Sequence, residues 1–250
     1  MKTLLKLLLL TFVLTTGWTA ETQAQKSKDN KLTKAEKKEG WVLMFNGKNT
    51  KNWRGFHRQD PPGVWSASEG TLFCKAMKND EAEPGQNGLI MYAWQFSNFH
   101  LKVDWKISEG GNSGIFYLGA EEGYSSIANT APELQVLDNE RHPDGKKGRD
   151  GNRLSGALYD LIPAVPQNAN QAGEWNSVEV IVKDGHVKHI MNGEEVLSFQ
   201  MWTEEWKELV SGSKFPEIRE DWHDVPQEGY IGLQDHGDDV WFKNLKIRKL

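Results

Sequence analysis

The sequence predicts an all-β protein, a two-sheet antiparallel β-sandwich of the jelly-roll kind with one or two short helices. Short segments that alternate apolar and polar residues recur along the chain, turn dipeptides separate them, and helix signals are few. The chain has 250 residues, of which 38% are hydrophobic and 26% charged, so it can bury one large core.

The clearest strand is predicted at residues 99–107, where every second residue is apolar. The one clear helix is predicted at residues 204–210, with Thr203 as its N-cap and Gly212 just past its end. The other predicted elements are a hairpin at 65–73, a fully buried strand at 115–118, a meander of strands at 176–183, 187–191 and 195–199 with turns at 184–185 and 192–193, and a bulged strand at 240–248.

The N-terminal 24 residues have the pattern of a secretory signal peptide. A basic start, with Lys2 and Lys6, precedes an apolar stretch at residues 7–14 that is too short to span a bilayer. Small residues follow and end near Ala24. We therefore expect an exported protein, periplasmic or secreted, whose mature form has no membrane span.

Residues 25–39 are polar and Lys-rich and predict a tether, so a single β-sandwich domain is expected at residues 40–250. The single cysteine, Cys74, lies far from the cleavage region, so neither a lipid anchor nor an internal disulfide is expected. The net charge of -5 and the absence of a basic excess argue against nucleic acid as a partner.

Two segments place polar side chains on one face of a strand, namely PELQVLD at residues 132–138 and GYIGLQDHG at residues 229–237. Because side chains alternate between faces, Glu133 and Gln135 share one face of the first, and Gln234 and His236 share one face of the second. A carboxylate, two carboxamides and an imidazole suit a small carbohydrate and proton transfer.

We interpret Glu133 and His236 as the catalytic candidates, acting as base and acid or holding a divalent cation, which His142 and Asp144 would help to complete. A glycosidase with two catalytic carboxylates needs them ~5–9.5 Å apart. Leu137 stands where the same strand face would carry a second acid, which disfavours that mechanism. Asp104 or Asp235 on another strand remains an alternative second acid.

Further polar residues around these segments are candidates for substrate binding. The alternative interpretation is structural hydrogen bonding or turn formation, above all for Asn112, Arg153 and Tyr159. The candidates are Asn112, Gln135, Asp138, His142, Arg153, Tyr159 and Gln234.

Six motifs, in this order, resemble the 3-keto-disaccharide hydrolase family. They are GWVLMFNG at 40–47, GNSGI at 111–115, PELQVLD at 132–138, GEWN at 173–176, MNG at 191–193 and IGLQDHG at 231–237. The resemblance implies a concanavalin A-like lectin/glucanase sandwich and action on glycosides whose sugar carries a ketone at C3. Such a ketone acidifies the C2 hydrogen, so one base can start a β-elimination at C1, followed by hydration.

Two other functions stay open at this point. A non-catalytic carbohydrate-binding module would bind sugar without cleaving it. A conventional glycoside hydrolase would cleave unoxidised glycosides and would need a second carboxylate near the first.

Overall fold

The computed structural model describes residues 29–78, 81 and 83–250. The strands in these residues are β1 Val42–Leu43, β2 Trp53–Gly55, β3 Trp65–Ser68, β4 Thr71–Cys74, β5 Ile90–Phe96, β6 Phe99–Ile107, β7 Asn112–Gly119, β8 Glu133–Leu137, β9 Asn176–Lys183, β10 His186–Met191, β11 Glu194–Gln200, β12 Gly229–Leu233 and β13 Val240–Lys249. The α-helices are α1 Lys34–Lys38, α2 Glu204–Ser211 and α3 Phe215–Ile218, and 3-10 turns lie at Ile127–Asn129 and Pro143–Lys146.

The strands form two sheets. One has eight strands in the order β11-β10-β9-β6-β13-β4-β3, with β1 paired to β13, and the other has five in the order β2-β5-β12-β7-β8. Every strand pairing is antiparallel. The predicted two-sheet all-β sandwich is confirmed.

The alternation predicted for residues 99–107 decides which face of β6 enters the core. Its apolar residues, among them Val103 and Trp105, are at most 2% exposed, while its polar residues lie on the outer face. Leu134 and Val136 of β8, and Ile231 and Leu233 of β12, belong to the same core cluster, which joins the two sheets. The polar side chains of β8 must therefore point to the opposite face of the five-stranded sheet.

Tight turns connect the strands of the meander, and a bulge interrupts the last strand. Asp184 and Asn192 adopt left-handed φ angles of 50° and 51° in the two tight turns, as the Asp-Gly and Asn-Gly pairs predict. In β13 the pairing register shifts between Lys243 and Lys246, around Asn244 with a φ of 54°. This shift is the predicted bulge.

Helix α2 lies where the capping signals placed it. The Thr203 side chain accepts a hydrogen bond from the Trp206 backbone N–H, and Gly212 follows the last residue. Trp206 and Val210 form its buried face and pack into the core.

The described part of the predicted tether, residues 29–39, folds onto the domain instead of leaving it. Thr33 and Glu36 form a capping box that starts α1. The Glu36 carboxylate pairs with Lys246 at 2.7 Å, and Asn30 exchanges hydrogen bonds with Asn244 on β13. Asn244 at the bulge of β13 and Lys246 just after it therefore hold this segment on the domain. The polar composition of the segment alone did not indicate these contacts.

The predicted signal peptide, residues 1–24, lies outside the described residues. Within the described residues, no helix combines the length and apolar character needed to cross a membrane. Cys74 is fully buried in β4, and burial raises the pKa of its thiol, which fits a structural core residue.

Candidate active site

The two polar strands reach one site because β7 lies between β8 and β12 in the five-stranded sheet. Phe116 of β7 pairs with Glu133 on one side and with Gly232 on the other. Gly114 is essential to this arrangement, since a Cβ atom there would overlap the Glu133 carboxylate. The GNSGI motif therefore provides the space in which this carboxylate lies over the sheet.

A cavity of about 190 Å³ opens on this face of the sheet, and we name it the Glu133 cavity. Its polar side is formed by residues of β7 and β8 and by the segment after β12, which ends at Leu233, so Gln234 and His236 lie just beyond the strand predicted for them. Its apolar side is formed by the 3-10 turn after β7 and by α3. Its lining residues are Asn112, Phe116, Ala128, Ala131, Glu133, Gln135, Tyr159, Lys214, Phe215, Ile218, Gln234 and His236.

Tyr159 enters this cavity because a non-strand segment covers the free edge of β8. The backbone of Gln135 exchanges hydrogen bonds with Gly156 and Ala157, and the Tyr159 N–H donates to the Glu133 carbonyl at 2.9 Å. The edge strand is thus paired by main-chain bonds, and the same bonds place the Tyr159 side chain next to Glu133.

Glu133 is the buried acid of the site and is 8% exposed. The pKa of its carboxyl is raised to about 8, chiefly by burial, while the Lys214 ammonium lowers this pKa and the Asp144 charge adds a smaller rise. A carboxyl that titrates near neutral pH is suited to exchange protons with a substrate.

A chain of polar contacts lies beside Glu133. The Lys214 ammonium donates to the Tyr159 hydroxyl at 3.0 Å, and that hydroxyl donates to the Asp144 carboxylate at 2.9 Å. Burial, followed by the charge of Arg153, lowers the pKa of Lys214. The Lys214 ammonium has three N–H donors, and its bond to the Tyr159 hydroxyl uses one of them.

Three amide oxygens at the cavity wall are buried and have no hydrogen-bond partner: Asn112 Oδ1, Gln135 Oε1 and Gln234 Oε1. Such an acceptor costs about 1–3 kcal/mol when it stays unpaired. Their convergence on one cavity provides acceptors for the hydroxyl groups of a ligand.

Asp138 and Arg153 are two of the three predicted substrate-binding residues that do not line this cavity, and His142 is the third. The Asp138 carboxylate accepts hydrogen bonds from the backbone N–H groups of Gly110, Glu140 and Arg141, and so holds the loops at the end of β8. The Arg153 guanidinium lies behind Tyr159 and pairs with Asp160 and Asp144. Both positions correspond to the structural alternative rather than to ligand contact.

His236 stands at the exposed mouth of the cavity, near His142 and Asp238. One ligand atom from each of these three side chains lies within 4.8 Å of the others, and Glu133 is not part of this group. His142 has no place in the lining of the Glu133 cavity. Its ring meets the His236 ring edge to face at 5.9 Å.

This group does not fit a metal well. A metal-bound imidazole normally donates its other ring N–H to an acceptor. In His142 the Nδ1 atom instead accepts a hydrogen bond from the Asp144 N–H at 3.1 Å, so the neutral ring carries its proton on Nε2. One Asp238 oxygen is already engaged by the Asn112 N–H at 3.0 Å.

Glu133 is the single carboxylate in the lining of its cavity, among the residues that the structure describes. Asp104 lies on β6 in the other sheet, across the core, and accepts a hydrogen bond from Asn244. The Asp235 carboxylate is bound to the backbone N–H groups of Gly88 and Gly237. Neither alternative partner from the sequence therefore joins Glu133.

Lys214, Phe215 and Ile218 line the cavity but escaped the sequence analysis. They lie in and just before the four-residue helix α3, which has no periodic pattern. Asp238, whose carboxylate accepts a hydrogen bond from the Asn112 backbone N–H, was also not among the candidates from the sequence. The need for a positively charged side chain near Glu133 is the consideration that could have drawn attention to Lys214.

Comparison with known proteins adds a decisive observation to this geometry. A family model described as the 3-keto-alpha-glucoside-1,2-lyase-like domain matches residues 40–248. The chain belongs to this family. The predicted family membership is confirmed, and the match spans both sheets and the Glu133 cavity.

Individual relatives agree with membership in the 3-keto-alpha-glucoside-1,2-lyase-like family. A protein of Bacteroides thetaiotaomicron named 3-keto-disaccharide hydrolase is 42% identical over 229 residues, which are 85% of this chain and 79% of that protein. A crystal structure from Parabacteroides distasonis, described as a "putative glycosyl hydrolase", is 35% identical with a TM-score of 0.77 and covers 89% of this chain and 100% of its own.

A second Parabacteroides distasonis structure with the same description is 27% identical, with a TM-score of 0.63, and covers 84% of this chain and 99% of its own. The predicted class of enzyme, a glycosyl hydrolase of the 3-keto-disaccharide hydrolase kind, is confirmed by these relatives.

Proposed function

We propose that this enzyme cleaves the glycosidic bond of 3-keto glycosides, including 3-keto disaccharides, by proton abstraction at C2, elimination at C1 and hydration. The observation that carries this proposal is a single buried carboxylate, Glu133, facing a cation and three unpaired amide oxygens in one cavity. The name of the 42% identical relative supports the same substrate class.

Glu133 is the base in this reaction. Its carboxylate takes the C2 hydrogen, and the electron pair of that bond moves toward the C3 ketone oxygen to form an enolate. A base with a pKa of about 8 accepts a proton more readily than an ordinary carboxylate, while a useful fraction is still ionised at neutral pH.

Lys214 is the group that would stabilise the enolate oxygen. Its ammonium lies in the cavity lining beside Tyr159. A fixed positive charge in a site that excludes water stabilises developing negative charge strongly. Because the Tyr159 hydroxyl donates its hydrogen bond to Asp144, its oxygen accepts one from Lys214, and the other Lys214 donors are available to the cavity.

Collapse of the enolate breaks the C1–O bond and leaves a C1=C2 double bond conjugated with the ketone. His236, at the cavity mouth, is the acid that gives a proton to the departing oxygen. Addition of water then places a hydroxyl at C1 and a proton at C2, which completes a net hydrolysis. Asn112, Gln135 and Gln234 would bind sugar hydroxyls through their free oxygens.

The test compares Glu133→Gln, His236→Ala and Glu122→Gln on a 3-keto glucoside. Glu122 is exposed and serves as the matched control for the loss of one carboxylate. We expect the first two variants to lose at least about 100-fold in kcat/KM, as removal of an acid or base generally does. Wild-type rates in folded Glu133→Gln and His236→Ala proteins would reject these roles.

A reaction in D2O separates elimination from direct hydrolysis. Elimination and hydration place a solvent deuteron at C2, whereas direct hydrolysis keeps the original hydrogen. The product incubated without enzyme corrects for spontaneous exchange next to the ketone.

The alternative functions have less support. A conventional two-carboxylate hydrolase needs a second acid at ~5–9.5 Å, and the cavity lining contains none among the described residues. A non-catalytic binding module has no use for a buried carboxyl poised near neutral pH. Turnover of unoxidised aryl glycosides by the purified enzyme would favour the first alternative.

A divalent cation is the remaining alternative for polarising the ketone. Of the described residues, His142, His236 and Asp238 would be its ligands, and the hydrogen bonds of His142 and Asp238 do not suit that role. The proposed reaction therefore routes no step through a metal ion and assigns the stabilisation of the enolate to the Lys214 ammonium.

We also propose export to the periplasm or the medium, on the pattern of residues 1–24. The mass of the protein recovered from those fractions tests this, because cleavage near Ala24 removes the first 24 residues.

A further inference from the structure

A second cavity adjoins the first, and we name it the Arg58 cavity. Its volume is about 460 Å³, against about 190 Å³ for the Glu133 cavity. Phe116, Ala128 and Gln234 line both cavities, so the two meet along one shared wall. Clefts for small ligands measure ~300–1,000 Å³. The Glu133 cavity alone is smaller than this range, whereas the two together provide room for a longer ligand.

The Arg58 cavity combines an apolar floor with polar groups at its rim. Phe56 and Leu89 form the floor and pack against the small core cluster that contains Phe116. His57 and Arg58 lie at the rim. An apolar surface bordered by a few donors is the usual composition of a site for a small polar ring.

The rim is held in place by surrounding bonds. His57 has a left-handed φ of 53°, a conformation that a side chain adopts only where its surroundings enforce it. Its Nε2 atom lies 2.7 Å from the Tyr124 carbonyl, and its backbone N–H donates to Glu121, which also binds Arg54 through both carboxylate oxygens. The cavity is therefore formed before any ligand arrives.

Arg58 supplies the donors of this cavity. Its guanidinium makes one bond, to the Gly85 carbonyl at 2.7 Å, and forms no ion pair with a carboxylate in the described part of the chain. Several of its N–H groups are thus not matched by a carboxylate and can bind hydroxyl oxygens. Bonds from a charged donor are the stronger kind.

We infer that the Arg58 cavity binds the leaving group of the substrate, a second pyranose ring joined to the 3-keto sugar. This inference rests on the proposed function, because it assumes that the keto sugar occupies the Glu133 cavity. The bond that breaks then lies at the shared wall beside Gln234, whose unpaired Oε1 accepts a hydroxyl from either ring. The second ring would leave from its own cavity.

The experiment compares two substrates, methyl 3-keto-glucoside and a 3-keto disaccharide with glucose as the leaving group. The variant is Arg58→Met, and Arg149→Met is the matched control. Arg149 is exposed, also donates to one backbone carbonyl (Gly212, 2.9 Å), and lines neither cavity.

Arg58→Met is expected to lower the ratio of kcat/KM for the disaccharide to kcat/KM for the methyl glycoside about 10- to 100-fold, the worth of a charged hydrogen bond. The control leaves the ratio within about twofold. An unchanged ratio in an active Arg58→Met protein overturns the inference.

Binding to the Glu133→Gln background separates this inference from the proposed function. The Arg58→Met substitution should weaken calorimetric binding of the disaccharide selectively. If the wild type cleaves neither substrate but this selectivity persists, the subsite stands and the reaction is rejected. If the wild type cleaves both and neither binding nor the rate ratio changes, only the subsite is rejected.

Discussion

The Glu133→Gln substitution tests the central electrostatic claim through stability rather than activity. Burial raises the pKa of Glu133 from 4.5 to about 8 in the folded protein. One pKa unit corresponds to ~1.4 kcal/mol, so ionising this carboxyl costs the fold about 5 kcal/mol. The glutamine side chain keeps the shape of the group and never ionises.

The sign of the pH dependence follows from the raised pKa. Below about pH 4.5 the carboxyl is protonated in both states, and the wild type has its full stability. As the pH rises from about 4.5 to 8, the unfolded chain ionises first, so the wild type loses stability while the Gln variant does not. Above about pH 8 the difference is constant.

Urea unfolding at pH values from 5 to 9 measures this difference. Relative to the wild type, Glu133→Gln should gain about 4 kcal/mol of unfolding free energy between pH 5 and pH 9. Glu122→Gln, an exposed carboxylate, should show a change of less than about 0.5 kcal/mol. A Glu133→Gln difference that stays constant across this pH range would refute the claim that the cavity desolvates the carboxyl.

Three further predictions follow from the same cavity. Lys214→Met removes a charge that lowers the pKa of Glu133, so the midpoint of kcat/KM against pH should move upward from about 8 and the plateau should fall; an unmoved midpoint contradicts the coupling. Gly114→Ala places a Cβ in the space of the Glu133 carboxylate and should cost about 1–3 kcal/mol in urea unfolding together with most of the activity, whereas Gly173→Ala, where a Cβ meets no atom but the φ of 86° strains the backbone, should cost stability and spare the activity. Dialysis against a chelator should leave turnover of a 3-keto glucoside unchanged, and loss of activity that Mn²⁺ or Zn²⁺ restores would indicate a cation at His142, His236 and Asp238.

The strands could be predicted because each one has a face in the core. The alternation of residues 99–107, the Asp-Gly and Asn-Gly turns and the bulge in β13 are local patterns, and each has a direct structural consequence. The tether prediction was less successful in residues 29–39, because polar composition does not reveal the specific partners on β13.

The site could be predicted best along the two polar segments. Glu133 and Gln135 lie on β8, and Gln234 follows directly after β12, so strand phase and sheet order bring the three side chains to one cavity. Lys214 lies outside any periodic element, and its place in the cavity depends on the path of the chain after α2. For polar loop residues such as Arg153, sequence could not separate ligand contact from structural pairing, since both uses require the same side chain.

The segment at residues 156–159, which covers the edge of β8, affects both activity and resistance to aggregation. Its backbone bonds to Glu133 and Gln135 place Tyr159, and they also occupy the groups through which an open edge strand would recruit another chain. A substitution that breaks these backbone hydrogen bonds would therefore disturb the site and leave the N–H and C=O groups at the edge of β8 unpaired. Selection for turnover and selection against aggregation act on the same few hydrogen bonds, so the two properties should decline together in variants of this segment.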